Sequence, residues 1–218
     1  PLMMFTALYI VFSVFMRFPV ENYQLFLLLG IILWNYLSEA TMMGMNSILS
    51  KANLIQKINF PKEIIVIASN ITSLFTIFLN LVVFFVFILI FKPEFNISIL
   101  LFPLHLLELF ILALGLSFLL SAYYLRFRDL AHIWEILLSI GFWLTPIIYP
   151  LSLIPEKYHQ LLYLNPVARI IEDSRIAIIT LSFPTLRHFF FTTLSVVVVF
   201  IIGYYIFKKR SPNFVEEI

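Results

Sequence analysis

Few side chains in this sequence could do acid–base chemistry. Glu39, in WNYLSEATMMGMNS, and Glu108, in FPLHLLELF, are carboxylates inside apolar runs, where an ionised group is expensive and turns toward protein or a water-filled path. Facing one cavity, the two could act as acid and base on a lipid-linked sugar. Apart, each is a packing carboxylate, and His105, one turn before Glu108, is then its local partner. Asn35, Ser38, Thr41 and Asn46 give Glu39 a polar helix face, as a pathway or interface residue would have. A lone pathway carboxylate would also suit a proton-coupled carrier. His132 and Glu135 supply two ligands at most, so they read as a helix-edge pair and no metal site is expected.

The sequence contains neither a GxxxxGK[ST] phosphate loop nor a GxSxG elbow, and only 5 glycines. We therefore expect no ATP binding or splitting in this chain and no catalytic residue. Energy from a nucleotide would have to come from a partner. Three charged stretches interrupt the apolar background. In KANLIQKINFPKEI, Leu54, Ile55 and Ile58 alternate with Lys51, Asn53 and Lys57, which predicts a short amphipathic helix. That helix could dock a partner protein or rest on lipid headgroups. In YYLRFRDLAHIWE, Arg126, Arg128 and Asp129 form a hydrated turn, with Asp129 placed to cap or complement the helix that follows. In LNPVARIIEDSR, Asn165 is an N-cap with Pro166 at the first helical position.

The elements that must position these residues follow from composition. The chain has 218 residues, 62 % hydrophobic and 12 % charged, with mean hydropathy +1.02, against about 25 % charged residues in a soluble domain. This predicts an all-α polytopic membrane protein, because backbone groups in lipid must be satisfied within helices. The apolar runs lack the alternation of a membrane β-barrel. Six spans are expected, at about residues 1–16, 23–48, 61–91, 97–123, 131–149 and 189–207, forming a single transmembrane domain over 1–218. Net charge is +2, a surplus suited to membrane edges and not to nucleic acid. Lys51, Lys57, Lys62, Arg126, Arg128, Lys208, Lys209 and Arg210 fall on one side, whereas the short loops opposite hold Arg17 and Lys92 set against Glu21 and Glu94. Both termini are thus expected inside. Between the last two spans, LIPEKYHQLLYL and LNPVARIIEDSRIAIITLSFP predict two short amphipathic helices at the outer side, interfacial or re-entrant. On the second, Val167, Ile170, Ile171, Ser174, Ile178 and Leu181 share a face, and Arg169 can pair with Asp173.

Taken in order, NLIQKINFPKEI, SAYYLRFRDLAHI, FWLTPIIYPLSLIPE and LNPVARIIEDSR resemble the permease subunit of type 2 ATP-binding-cassette exporters. The branch is the one that exports polysaccharides such as O-antigens, capsules and teichoic acids, and the similarity covers nearly the whole chain. The resemblance implies that Asn53, Leu54, Ile55, Lys57, Ile58, Phe60, Pro61, Lys62 and Glu63 belong to a coupling helix seated in a nucleotide-binding subunit. Arg128 and Asp129 match the family's inner RD pair, Thr145, Pro146 and Tyr149 its outer TP-I-Y, and Asn165 with Pro166 its NP.

It further implies a homodimer with a channel between two copies of spans one, two and five. Two ATP-binding-cassette subunits holding ATP and Mg would sit beneath it. The cargo would be lipid-linked polysaccharide, and the setting the cytoplasmic membrane of a prokaryote. Aromatic faces with few fixed charges let a sugar chain slide, so Tyr9, Phe12, Trp34, Phe142, Trp143 and Tyr149, with Glu39, are the expected channel lining. A drug or small-lipid exporter of the same superfamily would use the same scaffold. The sequence starts at Pro1 inside an apolar run, which we read as a truncated start. The family's amphipathic helix before the first span is expected to have been left out.

Overall fold

A computed structural model describes residues 2–15, 20, 22–58, 60–91 and 96–214. Pro1, Arg17, Glu21, Lys92 and Glu94 lie outside the described residues, and with them the outer-loop side of the charge comparison.

Regular structure among the described residues is helical, without strands. Among the described residues four helices are long and apolar enough to cross a membrane: α2 (Tyr23–Ser50), α4 (Glu63–Phe91), α5 (Phe102–Tyr124, preceded by a 3₁₀ turn from Ile97) and α9 (Leu186–Arg210). Two shorter apolar helices accompany them, α1 (Leu2–Tyr9, continued as π-helix through Phe15) and α6 (Leu130–Leu144). The remaining helices are α3 (Ala52–Lys57), α7 (His159–Leu162) and α8 (Pro166–Ile178).

Burial ranks the spans. The most apolar window of α2 is 78 % buried, against 22 % in α4 and 17 % in α9, so α2 is the central post. Its first half explains why: Leu25, Leu27, Leu28, Leu29, Ile31, Ile32 and Leu33 are apolar around the whole helix, a pattern that fits only a surrounded position. α4 and α5 pack on α2, and α9 packs along α5. α4 buries one stripe through Ile77, Leu81, Phe84 and Ile88 and exposes Phe75, Phe78 and Leu79, the surface expected where hydrocarbon lies outside.

Two close contacts set the spacing. A Cβ on Gly203 would lie 2.0 Å from the Gly115 carbonyl oxygen, and one on Gly115 would lie 2.6 Å from the Phe200 Cα. The α5–α9 seam is therefore backbone against backbone, the small-residue packing that membrane helices use. Where α2, α4 and α5 meet, Ser117 Oγ donates to the Ala113 carbonyl at 2.7 Å and lies 3.3 Å from Asn70 Oδ1.

Three local expectations change. α6 stops at Thr145, so the fifth expected span, drawn to 149, is shorter and TPIIY leaves the helix. Beyond Leu153, LIPEKYHQLLYL is helical only from Glu156 to Leu162, a 3₁₀ turn that runs into the single α-helical turn of α7, with Pro155 at the N-cap of this short run. Asp129 stands at the N-cap of α6 without a side-chain cap bond, its backbone already in the helical region.

Candidate functional site

The polar stripe of α2 opens on a groove. Between α2, α4 and α6 a cavity of about 480 Å³ is lined by Asn35, Ser38, Glu39, Thr76, Asn80 and Glu135. It adjoins one of about 300 Å³ on the α1 side, with which it shares Asn35, Ser38 and Leu138. Trp34, Phe142 and Trp143 line the second cavity. Phe142 stands edge-on to Trp143 at 5.6 Å, and its centroid is 6.2 Å from that of Trp34. α6 can approach because Gly141 sits over the Trp34 indole, where a Cβ would come within 2.9 Å. The groove thus offers aromatic faces beside amide and hydroxyl groups, a surface suited to a long polyhydroxylated molecule.

Glu39 is held in this groove by Thr76, whose hydroxyl donates to Oε1 at 2.8 Å. Glu108 lies elsewhere: it is buried, 3.0 Å from His105 Nδ1, and accepts from Thr193 of α9 at 2.6 Å. The two carboxylates share no cavity, which removes the geometry for paired acid–base work. His132 and Glu135 are a solvent-facing pair at 3.9 Å.

The structure brings Trp34, Glu39, Phe142 and Trp143 together, but not the other aromatic candidates. Tyr9 stacks on Phe5 at 5.6 Å and on Tyr23 at 6.4 Å, and Phe12 packs against the core. Tyr149 donates to the carbonyls of Trp143 at 2.9 Å and Leu144 at 3.3 Å, closing the end of α6.

At the start of α2, the TPIIY and NP segments are joined. Asn165 caps α8 by accepting from the Val167 N–H at 3.0 Å and donates its amide to Thr145 Oγ1 at 3.1 Å. Arg175, on α8, is 3 % exposed. Its guanidinium donates to the carbonyls of Pro146 at 2.6 Å, Ile147 at 2.8 Å and Phe26 at 3.0 Å, and it lies 3.4 Å over the Phe26 ring. Tyr23 adds a bond to the Ile148 carbonyl at 2.8 Å. Burial pulls the Arg175 guanidinium down to about 10, which leaves it charged at neutral pH. Arg175 lies outside the set of residues expected from the sequence. Its spacing carried the signal, since it follows Ile171 by four residues and so shares the apolar stripe. Arg169 does not form the expected ion pair with Asp173; its Nε donates to the Tyr163 carbonyl. Asp173 is buried, and that burial pushes its carboxyl up to about 6.

At the other end of α2, α3 lies across the turn into α4. Ile55 is buried in an apolar cluster with Ile48, Val66, Phe118, Phe207 and Phe214, whereas Leu54, Ile58, Asn53 and Lys57 are exposed. The free ridge is therefore Leu54 and Ile58, with Ile55 as the anchor. Phe60, Lys62 and Glu63 are half-buried and Pro61 is exposed. Nearby, Arg128 lies over the Tyr124 ring at 5.7 Å and Arg126 over Phe127 at 5.6 Å. Among the described residues neither arginine forms an ion pair, and both side chains are exposed.

Comparison with known proteins bears on these features together. Residues 1–179 match the family described as ABC-2 type transporter. The chain is 27 % identical over 219 residues to the O-antigen export system permease protein RfbA of Klebsiella pneumoniae, covering 99 % of this chain and 83 % of the relative. It is 27 % identical over 211 residues to the protein of the same name from Myxococcus xanthus, covering 96 % and 81 %. With the match extending from α1 into the end of α8, through the groove, α3 and the Arg175 cluster, the chain belongs to the ABC-2 type transporter family.

Proposed function

We propose that this chain is the membrane-spanning permease subunit of an exporter that moves lipid-linked polysaccharide across the cytoplasmic membrane of a prokaryote, driven by ATP hydrolysed in a separate subunit. The observation that carries the reading is α3. A short helix anchored through Ile55 while Leu54, Ile58 and Lys57 stay free has the form of a docking ridge on a cytoplasmic partner. The names of the relatives support the polysaccharide, and so does a groove of aromatic and neutral polar groups with Glu39 tied to Thr76.

In this reading the chain is one transmembrane domain of six spans, α1 and α6 included, with α3 and both termini in the cytoplasm. Two copies form the pathway. α6 supports this, because Ile133, Ile136, Leu137, Ile140 and Trp143 are exposed along it beside the groove, a face for a second copy. ATP and Mg bind between two partner subunits, whose closure moves α3. That motion opens the pathway only if the open and closed dimers make different contacts. α8 and the Asn165–Thr145 link form the outer end, where the segment after α6 is held to the start of α2.

The test is purification of the full chain from its native membrane in mild detergent, with identification of its companions and assay of ATP hydrolysis. An ATPase subunit should accompany the chain. The double variant Leu54→Glu, Ile58→Glu should still insert and fold but lose the subunit by about 30-fold in affinity, the scale of a lost interface hot spot. Retention of the subunit by the double variant would remove α3 as the docking ridge.

A further inference from the structure

At the α3 end the described chain closes with a 3₁₀ turn, Ser211–Asn213, followed by Phe214. This segment is tied to one place. Phe214 is fully buried, its ring 5.3 Å from Phe207, which lies 5.0 Å from Phe118 of α5. All three belong to the apolar cluster that holds Ile55 of α3. Two polar clamps sit beside it. Lys62 donates its ammonium to the Ser211 carbonyl and stands 5.5 Å over the Phe214 ring, and Lys208 pairs with Glu63 at the start of α4. Along the rest of its length α9 packs on α5 and α8.

We infer that the turn Ser211–Phe214 is the link through which displacement of the α3–α4 connection reaches α9, making Phe214 and Lys208 positioning residues for coupling. This rests on the permease reading. From α9 the route runs through elements in contact: the Gly115–Gly203 seam joins it to α5, α5 packs on α8, and Arg175 of α8 grips Pro146 and Ile147 at the far end. Such a chain of rigid contacts can carry a displacement where loops would absorb it.

The experiment uses the full chain with its ATPase subunit, reconstituted in vesicles, with ATP hydrolysis and polysaccharide export measured together. In Phe214→Ala, hydrolysis should stay within about twofold while export per ATP falls about fivefold or more, the scale of coupling between distant sites. Phe214→Leu, which keeps apolar volume in the cluster, should recover most of that loss. Lys208→Met, which removes the clamp on Glu63 and leaves the cluster, should show the same selective fall. Unchanged export per ATP in both Phe214→Ala and Lys208→Met overturns the inference, as does an equal loss in Phe214→Ala and Phe214→Leu. A chain that purifies without any ATPase subunit overturns the permease reading, and this inference with it.

Discussion

Replacing Gly203 by alanine will force α9 away from α5 and lower the stability of the folded chain by about 3 kcal/mol, the upper range for an overpacked interior. The new methyl would lie 2.0 Å from the Gly115 carbonyl oxygen, and the atoms it meets are backbone. A flexible side chain could swing aside, but a helix backbone can yield only by moving the whole helix. Gly115→Ala meets the Phe200 backbone at 2.6 Å and should act the same way. Because both changes open the same seam, their combination should cost less than the sum of the two. Thermal unfolding in detergent, followed by loss of monodisperse protein, measures this. An unchanged melting temperature for Gly203→Ala would mean that the helices are further apart than described.

Arg175→Leu should be of similar size, about 3–5 kcal/mol, for an electrostatic reason. Removing the guanidinium takes the donor from the carbonyls of Pro146 and Ile147, which lie outside any helix, and a second bond from the helical Phe26 carbonyl, and losing one partner of a buried charged arrangement costs that much. Leucine also leaves space around Gly30, where a Cβ would now meet Arg175 Nη2 at 2.6 Å. Arg175→Lys keeps the charge but not the planar fork that reaches three acceptors on two segments, so it should recover only part of the loss. The local consequence is release of the segment after α6 from the start of α2. Proteolysis within residues 145–165 should therefore rise in Arg175→Leu while the α3 end stays protected. Equal protection of both ends would show that Asn165, Thr145 and Tyr23 suffice without the arginine.

Much of this architecture was legible because it is written locally. Asn165 followed by Pro166 predicts a capped helix start, and the cap bond to Val167 is present. The alternation in KANLIQKI predicts a short amphipathic helix, and α3 forms, although Ile55, expected on the free stripe with Leu54 and Ile58, turns into the apolar cluster. His105 one turn from Glu108 predicts their contact. What escaped depends on partners distant in sequence. Arg175 lies on the apolar stripe of α8, but a charge there goes against the usual rule, and the carbonyls that accept it lie 28, 29 and 149 residues away. Nothing local tells Gly115 and Gly203 that they face each other. The aromatic candidates divide for a similar reason. Trp34, Phe142 and Trp143 meet in one cavity because Gly141 lets α6 close on α2. Tyr149 falls after the helix ends and turns its hydroxyl back on α6.

The central claim, that the groove beside α2 is the path of the polysaccharide, has a direct test, since the chain contains no cysteine. A single cysteine replaces Ser38, which lines both cavities of the groove, in the full chain assembled with its ATPase subunit in vesicles. The account predicts modification by a membrane-impermeant maleimide, loss of that modification when lipid-linked polysaccharide and ATP are supplied together, and its return once the cargo has passed. Modification that is absent in every state, or indifferent to the cargo, would contradict it and place the path elsewhere.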